Sequence, residues 1–360
     1  MREKGADENM SKQIQVGGVA IGGGAPVSIQ SMCNTPTQDV AATVRQILRL
    51  EEAGCEIIRV AVPDQDAARA VGEIKRRIHI PLVCDIHFDY KLALICAEQG
   101  ADKIRINPGN IGAHSRVRAV ADACRERGIP IRIGVNGGSL EKDLLAKYGG
   151  VTAEALVESA LGHVRLLNDC NFDDICISVK CSSVPVNMAA YRLLRAQTDY
   201  PLHLGVTEAG TPTMGILKSA MGIGGLLCLG IGDTVRVSLT ADPAEEVRAA
   251  KQILSAAGVR RFGPNLIACP TCGRTKYDMI PIAREVERRL EGCEKNITVA
   301  VMGCVVNGPG EAREADIGMA GGKRGGVLFV KGQEPMVVEE NLADRLIELA
   351  RKIAAEKAGK

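Results

Sequence analysis

The sequence of 360 residues predicts a (β/α)8 barrel at residues 1–260 and a smaller α+β domain at residues 261–360. Three observations support this prediction. Short apolar, β-branched runs alternate eight times with longer segments of helical spacing between Val27 and Gly258. Eight such units in about 230 residues are the number and size of a (β/α)8 barrel. From Phe262 onwards the alternation stops, and cysteines and glycines become frequent.

The predicted strands follow one another at regular intervals. They cover residues 27–32, 56–62, 81–88, 103–108, 130–136, 174–180, 201–209 and 234–240. Helices are predicted to begin where a side-chain oxygen can accept a bond from a free helical N–H group, at Thr37, Asp64, Thr152 and Asp242, the last followed by Pro243. Helices are predicted to end before glycines that can adopt positive φ, namely Gly54, Gly100, Gly128 and Gly258.

An open, doubly wound sheet has the same local pattern and is the alternative fold. The sequence favours the barrel because no GxGxxG follows the first predicted strand, and GxxxxGK[ST] is absent as well. In the second domain, residues 321–326 (GGKRGG) are predicted to form a hinge, and residues 339–357 a final charged helix.

Composition narrows the classes of partner. The net charge is +2, and the chain has five tyrosines, four phenylalanines and no tryptophan. It therefore lacks both the basic field and the stacking platforms of a nucleic-acid-binding protein. No apolar run reaches the ~20 residues of a membrane span. The charged segment 1–10 has no apolar stretch, so no signal peptide is predicted, and 13 cysteines then indicate a reducing cytoplasm.

Polar residues appear late in several predicted strands, where the active sites of barrels lie. Five cations face two carboxylates, and the surplus of about three positive charges predicts an anionic substrate, a phosphate or diphosphate. The alternative interpretation is that each residue is a satisfied ion pair or a solvated strand end. The five histidines show no metal-binding spacing. The polar set is Arg59, Asp85, His87, Arg105, Asn107, Arg132, Asn136, Lys180, Glu208, Arg236 and Ser238.

The second domain contains a CxxC, Cys269 and Cys272, and Cys304 comes after 31 intervening residues. A CxxC is compatible with a zinc knuckle, a dithiol redox pair or part of an iron–sulfur site. Three thiolates with an incomplete fourth position favour a 4Fe-4S cluster with one distinctive iron. Glu311, seven residues after Cys304, is the candidate fourth ligand, or else a solvated loop carboxylate. Cys293 could be a spare ligand.

Nine other cysteines are scattered through the predicted barrel. We predict that they are small buried hydrophobic residues rather than ligands. They are Cys33, Cys55, Cys84, Cys96, Cys124, Cys170, Cys176, Cys181 and Cys228.

Several motifs together resemble the 4-hydroxy-3-methylbut-2-enyl diphosphate synthase family of the methylerythritol phosphate route to isoprenoids. They are ACPTCGR at 268–274, MGCVVNGPGEA at 302–312, SMCNTPTQD at 31–39, DIHFDY at 85–90, KIRINPGN at 103–110, RIGVNGGSL at 132–140 and LGVTEAG at 204–210. The resemblance extends from about residue 13 to residue 351 and corresponds to the shorter, two-domain bacterial form.

The resemblance implies one 4Fe-4S cluster per chain, ligated by Cys269, Cys272, Cys304 and Glu311. It implies 2-C-methyl-D-erythritol 2,4-cyclodiphosphate as substrate, 4-hydroxy-3-methylbut-2-enyl diphosphate as product, and flavodoxin or ferredoxin as electron donor. The diphosphate would be held by Arg59, Arg105, Arg132, Lys180 and Ser238, with Arg236 and Asn136 as further binding candidates. For catalysis we predict Glu208 as proton donor, with orienting roles for Asp85, Asn107 and Asn136.

The last predicted barrel helix, residues 242–257, is about 24 Å long and runs away from the catalytic face. The second domain would then leave the barrel at its opposite end. We therefore predict a head-to-tail homodimer whose active sites combine both subunits. Two other functions stay open at this point: a phosphosugar aldolase with a Schiff base on Lys180 and a structural zinc, and a zinc ribbon that binds nucleic acid or protein.

Overall fold

The computed structural model describes residues 10–275, 277–291, 293, 295–304, 308–322 and 325–357. Most of the charged amino-terminal segment and Asn307 of the Asn-Gly-Pro-Gly sequence lie outside the described residues. The chain divides into two compact units, Met1–Arg260 and Arg261–Lys360. In the described part of the chain, no helix combines the length and the apolar character that crossing a membrane requires.

The first unit is a closed parallel barrel preceded by an antiparallel hairpin. The hairpin strands are β1 (Ile14–Val16) and β2 (Val19–Ile21). The barrel strands are β3 (Ser28–Met32), β4 (Ile57–Ala61), β5 (Leu82–Asp85), β6 (Lys103–Ile106), β7 (Ile131–Asn136), β8 (Ile175–Lys180), β9 (His203–Leu204) and β10 (Thr234–Val235). The sheet order is β8-β7-β6-β5-β4-β3-β10-β9. A bridge from Ile177 to Leu202 closes the ring, which confirms the barrel and excludes the open sheet.

Helices follow every barrel strand. They are α1 (Val40–Glu52), α2 (Gln65–Lys75), α3 (Tyr90–Glu98), α4 (Pro108–Ile111), α5 (His114–Arg127), α6 (Lys142–Tyr148), α7 (Ala153–Asn168), α8 (Val184–Arg195), α9 (Pro212–Ser219), α10 (Gly225–Cys228) and α11 (Pro243–Ala256). A π-helical segment, Ala220–Gly224, connects α9 to α10.

Three of the predicted helix starts are confirmed. Asp64, Thr152 and Asp242 each accept a hydrogen bond from a backbone N–H in the first turn. The prediction for Thr37 is wrong, because Asp39 begins α1 by accepting from the Ala42 N–H at 3.0 Å. The Thr37 hydroxyl instead donates to the Ala61 carbonyl and ties the loop after β3 to β4.

The hairpin was not predicted, although Ile14 to Ile21 alternates apolar and polar residues around a Gly-Gly turn. Its buried side chains Ile14, Val16 and Ile21 pack against inward-facing residues at the starts of β4, β5 and β8. The hairpin therefore closes the amino-terminal end of the barrel. At the other end, β9 and β10 are shorter than predicted, because the chain leaves the ladder after Leu204 and Val235 to form the loops around the mouth.

The second unit is a five-stranded sheet covered by helices. Its elements are β11 (Asn265–Ala268), α12 (Met279–Leu290), β12 (Thr298–Met302), α13 (Gly308–Glu314), β13 (Ile317–Gly322), β14 (Gly325–Val330), β15 (Met336–Val338) and α14 (Leu342–Glu356). The strands lie in chain order, parallel from β11 to β13 and antiparallel from β13 to β15. The predicted hinge is wrong, because Gly321 pairs with Gly326 in the antiparallel ladder.

Candidate functional site

The interior of the barrel is built in layers of four side chains contributed by alternate strands, as the strand registers and the stagger of an eight-stranded barrel require. Such layers normally consist of branched apolar residues. Here the lowest, above the hairpin, is Ile57, Lys103, Cys176 and Thr234. The next is Gln30, Val83, Arg132 and His203, and the third is Arg59, Arg105, Ser178 and Arg236. This interior is polar and cationic almost to its floor.

Asp85 is the buried carboxylate at the centre of this charge. Its Oδ1 accepts from Arg105 Nη1 at 3.0 Å, and its Oδ2 lies 3.7 Å from Arg59 Nε. Burial would raise the pKa of Asp85, but Arg59 and then Arg105 outweigh burial and hold this pKa well below its usual value. Asp85 is therefore an anion that fixes two guanidinium groups. Its place in the ion pair suits orientation rather than proton transfer.

Two glycines make room for the cationic side chains. A Cβ on Gly134 would lie 2.3 Å from Arg105 Nε, and a Cβ on Gly205 would lie 2.6 Å from Lys180 Nζ. The Arg105 guanidinium lies across β7 and donates to the Gly134 carbonyl at 2.9 Å. Both glycines thus determine where a charge can sit. The sequence motifs contain them, but only the strand registers reveal this role.

Lys180 lies at the end of β8 and is 6% exposed. Burial, and then the charges of Arg132 and Arg236, lower its pKa well below the usual value for lysine. Arg132 is 1% exposed and is the second residue of β7, so it lies deep in the barrel. The expectation that Arg132 lies late in its strand, near the mouth, is therefore wrong. A set of like charges held at close range attracts an anion that enters from the mouth.

Two charged residues of this interior were missed at the sequence level. Glu246, in the first turn of α11, is 6% exposed and its Oε2 lies 3.9 Å from Arg236 Nη2. Lys103 is fully buried at the start of β6, two residues before Arg105. The described interior and mouth contain six cations and three carboxylates. The positive charges therefore exceed the negative ones by three. The cations are Arg59, Lys103, Arg105, Arg132, Lys180 and Arg236, and the carboxylates are Asp85, Glu208 and Glu246.

The remaining predicted site residues lie around the mouth. Glu208 is exposed in the loop after β9 and has a φ of 53°, a left-handed conformation that is uncommon for this residue type. Asn107 is buried and begins α4 by accepting from the Gly109 N–H at 3.1 Å. Asn136 and Ser238 are half-buried at or after the ends of their strands, and His87 is exposed after β5.

In the second unit, Cys269 and Cys304 follow the carboxyl ends of two neighbouring parallel strands. Ala268 pairs with Val301, and the Cys269 N–H donates to the Val301 carbonyl at 3.0 Å. Cys272 is exposed in the loop after β11, and Glu311 is exposed in the first turn of α13. The ligand candidates therefore all follow the carboxyl ends of β11 and β12, on the same side of the sheet.

A hydrogen bond with Cys272, and then the charges of Cys272, Cys304 and Cys269, raise the pKa of Arg274. Hydrogen bonds from Arg274 lower the pKa of Cys272, which favours the thiolate. Among the described residues, no group of three or more His, Cys, Asp or Glu side chains is arranged to hold a metal ion. The soft sulfur donors at this edge nevertheless have the chemistry that an iron–sulfur cluster requires.

Cys293 is not placed to serve as a spare ligand. Its carbonyl lies beside Gly263, before β11, whereas Cys269 follows β11. The length of the strand, about 13 Å, separates the two ends. Of the nine cysteines predicted to be buried in the barrel, eight are buried, and Cys228 is exposed where α10 ends.

Comparison with known proteins assigns the family. The GcpE TIM-barrel domain matches residues 11–251, and the GcpE protein C-terminal domain matches residues 265–352. A relative from Caldanaerobacter subterraneus subsp. tengcongensis, named 4-hydroxy-3-methylbut-2-en-1-yl diphosphate synthase (flavodoxin), is 59% identical over 96% of this chain and 98% of its own. A relative of the same name from Geobacter sulfurreducens is 59% identical over 96% of this chain and 99% of its own.

Among solved structures, dihydropteroate synthase from Stenotrophomonas maltophilia matches with a TM-score of 0.50 and 16% identity, over 69% of this chain and 100% of that chain. A likeness at this identity supports the barrel fold alone. The two family models together span almost the whole sequence, as do the relatives at 59% identity. The chain is therefore a member of the GcpE family.

Proposed function

We propose that this chain catalyses the reductive ring opening and dehydration of 2-C-methyl-D-erythritol 2,4-cyclodiphosphate to 4-hydroxy-3-methylbut-2-enyl diphosphate. The reaction takes up two electrons and two protons and releases one water. The observation that carries the proposal is the barrel interior, in which cations exceed carboxylates by three and the apolar layers of an ordinary barrel are replaced. Membership of the GcpE family, whose curated relatives bear the name of this activity, agrees with it. The same membership disagrees with the aldolase and with the zinc ribbon.

The barrel residues bind and orient the substrate in this proposal. Arg59, Arg105, Arg132, Lys180 and Arg236 supply the positive charge for the diphosphate, and Ser238 and Asn136 add polar contacts at the mouth. Asp85 holds two of the guanidinium groups in place. Asn107 orients the substrate. Glu208 stands at the rim and donates a proton to the departing oxygen.

Cys269, Cys272 and Cys304 would hold one 4Fe-4S cluster, with Glu311 as the fourth ligand. When bound, the cluster supplies single electrons and a Lewis-acidic iron. Flavodoxin, which the relatives' name specifies, or ferredoxin would provide the electrons. The exposed Cys272 leaves this edge of the sheet open to solvent. The cysteine content continues to predict a cytoplasmic location.

Purification without oxygen tests the cluster and the activity together. We expect a brown protein with about four irons and sulfide per chain, and conversion of the cyclodiphosphate when reduced flavodoxin is supplied. Cys304→Ser is expected to lose most of the iron and all turnover, whereas Cys228→Ser, at an exposed barrel position, should retain both. A colourless protein with a single zinc would contradict the proposal.

We also propose that two chains build each active site. Within the barrel unit, Arg260 Nη1 donates to the Val27 carbonyl at 2.7 Å and lies 2.8 Å from Glu56 Oε2, and both partners precede barrel strands. The chain thus leaves the barrel at its amino-terminal end, opposite the mouth. A cluster domain from a second subunit, in a head-to-tail homodimer, would then serve each mouth.

Mixing two inactive variants tests the shared site. Cys304→Ser removes a cluster ligand, and Glu208→Gln removes the proposed proton donor without disturbing the core, since Glu208 is exposed. Hybrid dimers contain one intact pair of domains, so we expect mixing to restore up to about a quarter of wild-type activity at equal amounts. Subunit exchange is verified with differently tagged chains. Exchange without recovered activity would contradict the shared site.

A further inference from the structure

Lys103 is a buried charge that the proposed function does not use. Its side chain is fully buried in the lowest interior layer, and its Nζ has no hydrogen-bond partner among the described atoms. On the same side of β6, Arg105 and Asn107 follow at two-residue intervals towards the mouth. Lys103 is thus the bottom of a polar column that ends in the proposed substrate site.

Among the described residues, the groups that act electrostatically on Lys103 include no carboxylate. They are Cys176 on β8, Arg132 on β7, Arg59 on β4 and His203 on β9. Both ring nitrogens of His203 and two nitrogens of Arg132 are buried and also lack hydrogen-bond partners among the described atoms. Burial, and then the nearby cations Arg132 and Lys180, lower the pKa of His203 well below its usual value, which favours the neutral imidazole.

The hairpin determines where a counter-charge can come from. Its apolar side chains Ile14, Val16 and Ile21 pack directly below this layer, against Ile57 and Cys176. An anion therefore cannot reach Lys103 from below. Asp85, the nearest carboxylate in the column, lies above the guanidinium groups and is already paired with Arg59 and Arg105. Only an anion that enters through the mouth can compensate the lower cations.

We propose that Lys103 is a positioning residue for the anion site. Its fixed charge at the barrel floor repels the guanidinium groups of Arg132 and Arg59 towards the mouth. This charge is compensated only when a diphosphate binds. The proposal rests on the proposed function, because it requires a diphosphate above these arginines. In the absence of substrate, the uncompensated charge of Lys103 destabilises the folded enzyme. A bound diphosphate compensates the charge and removes this destabilisation. Lys103 thus lowers the stability of the free enzyme and raises its affinity for the diphosphate.

The proposal has a consequence for pH. Burial, which outweighs the neighbouring groups, lowers the pKa of Lys103 to about 8, below its value in the unfolded chain. Between these two values the unfolded state binds more protons, so the free enzyme should gain stability as the pH rises from about 8 to 10. A bound anion raises the pKa of Lys103, so binding takes up protons and should weaken over the same range.

The test uses the full-length holoenzyme with inorganic pyrophosphate as probe. Lys103→Met removes the charge but keeps the length of the side chain, and Thr234→Val is the matched control, because it changes a neutral buried group of the same layer. Thermal unfolding without ligand is measured from pH 7 to pH 10. Calorimetric titration at pH 8 in two buffers of different ionisation enthalpy gives affinity and proton uptake.

We expect Lys103→Met to raise the unfolding temperature of the free enzyme, to weaken pyrophosphate binding on the order of tenfold and to reduce proton uptake on binding. Thr234→Val should leave affinity and proton uptake unchanged. Two results would contradict the role of Lys103. One is that Lys103→Met binds pyrophosphate as tightly as a wild type that binds it, and the other is that Lys103→Met is less stable than the wild type at pH 7. If the wild type does not bind pyrophosphate at all, the proposed diphosphate site fails instead.

Discussion

Replacing Glu208 with glutamine is expected to lower kcat by about 100- to 10,000-fold, the usual contribution of a general acid. Glutamine keeps the shape of the side chain and loses the proton, so KM and iron content should change little. The side chain is exposed in the loop after β9, at the mouth where we propose that the substrate binds. Steady-state kinetics with reduced flavodoxin measures the effect, and full turnover by Glu208→Gln would contradict the role of proton donor.

A second variant at the same position separates chemistry from conformation. Glu208 has a φ of 53°, a region that costs a non-glycine residue about 1–2 kcal/mol. Glu208→Gly removes this cost, so its unfolding temperature should rise while its turnover falls as in Glu208→Gln. Equal unfolding temperatures for the two variants would show that the loop does not hold Glu208 under strain.

Gly134→Ala is expected to weaken pyrophosphate binding by about 10- to 100-fold, the value of one or two charge-assisted hydrogen bonds. The added Cβ would lie 2.3 Å from Arg105 Nε, so the guanidinium must move. It then loses its bonds to Asp85 and to the Gly134 carbonyl, 3.0 and 2.9 Å long. Because the tip of a side chain moves rather than the backbone, stability should fall by only about 1–3 kcal/mol. Calorimetric titration and thermal unfolding give the two quantities.

Gly138→Ala is the control for Gly134→Ala. Gly138 lies four residues further along, and a Cβ there would meet no heavy atom within 4 Å. We expect wild-type affinity and stability for this variant. Wild-type affinity in Gly134→Ala as well would mean that Arg105 does not contribute to the anion site.

The barrel could be predicted from the sequence because each of its units repeats a local pattern. Apolar runs, helix-starting residues such as Asp64 and helix-ending glycines such as Gly128 are signals within a few residues, and the structure places them as expected. The hairpin before β3 was overlooked, although its alternation was present. The ends of β9 and β10 could not be predicted, because loop geometry at the mouth decides where the ladder stops.

The charged interior was only partly predictable. Arginines late in a strand indicate a charged site, since a strand that is buried on both faces should otherwise be apolar. Lys103 was not predicted to lie in the interior, because it comes first in its strand, where a lysine normally reaches solvent. Only the hairpin packed below excludes water from that end of the barrel. Glu246 was not predicted to face the interior, because acidic residues are common in the first turn of a helix and its partner Arg236 lies on a different element.

The hairpin also gives the barrel a single entrance. With Ile14, Val16 and Ile21 packed under the floor, the described barrel has a mouth but no second exit at its base. Whatever enters must leave by the same route, so the product occupies the path of the next substrate molecule. Product and substrate should therefore exclude one another, and each catalytic cycle should end only when the diphosphate has left past the arginines that we propose bind it.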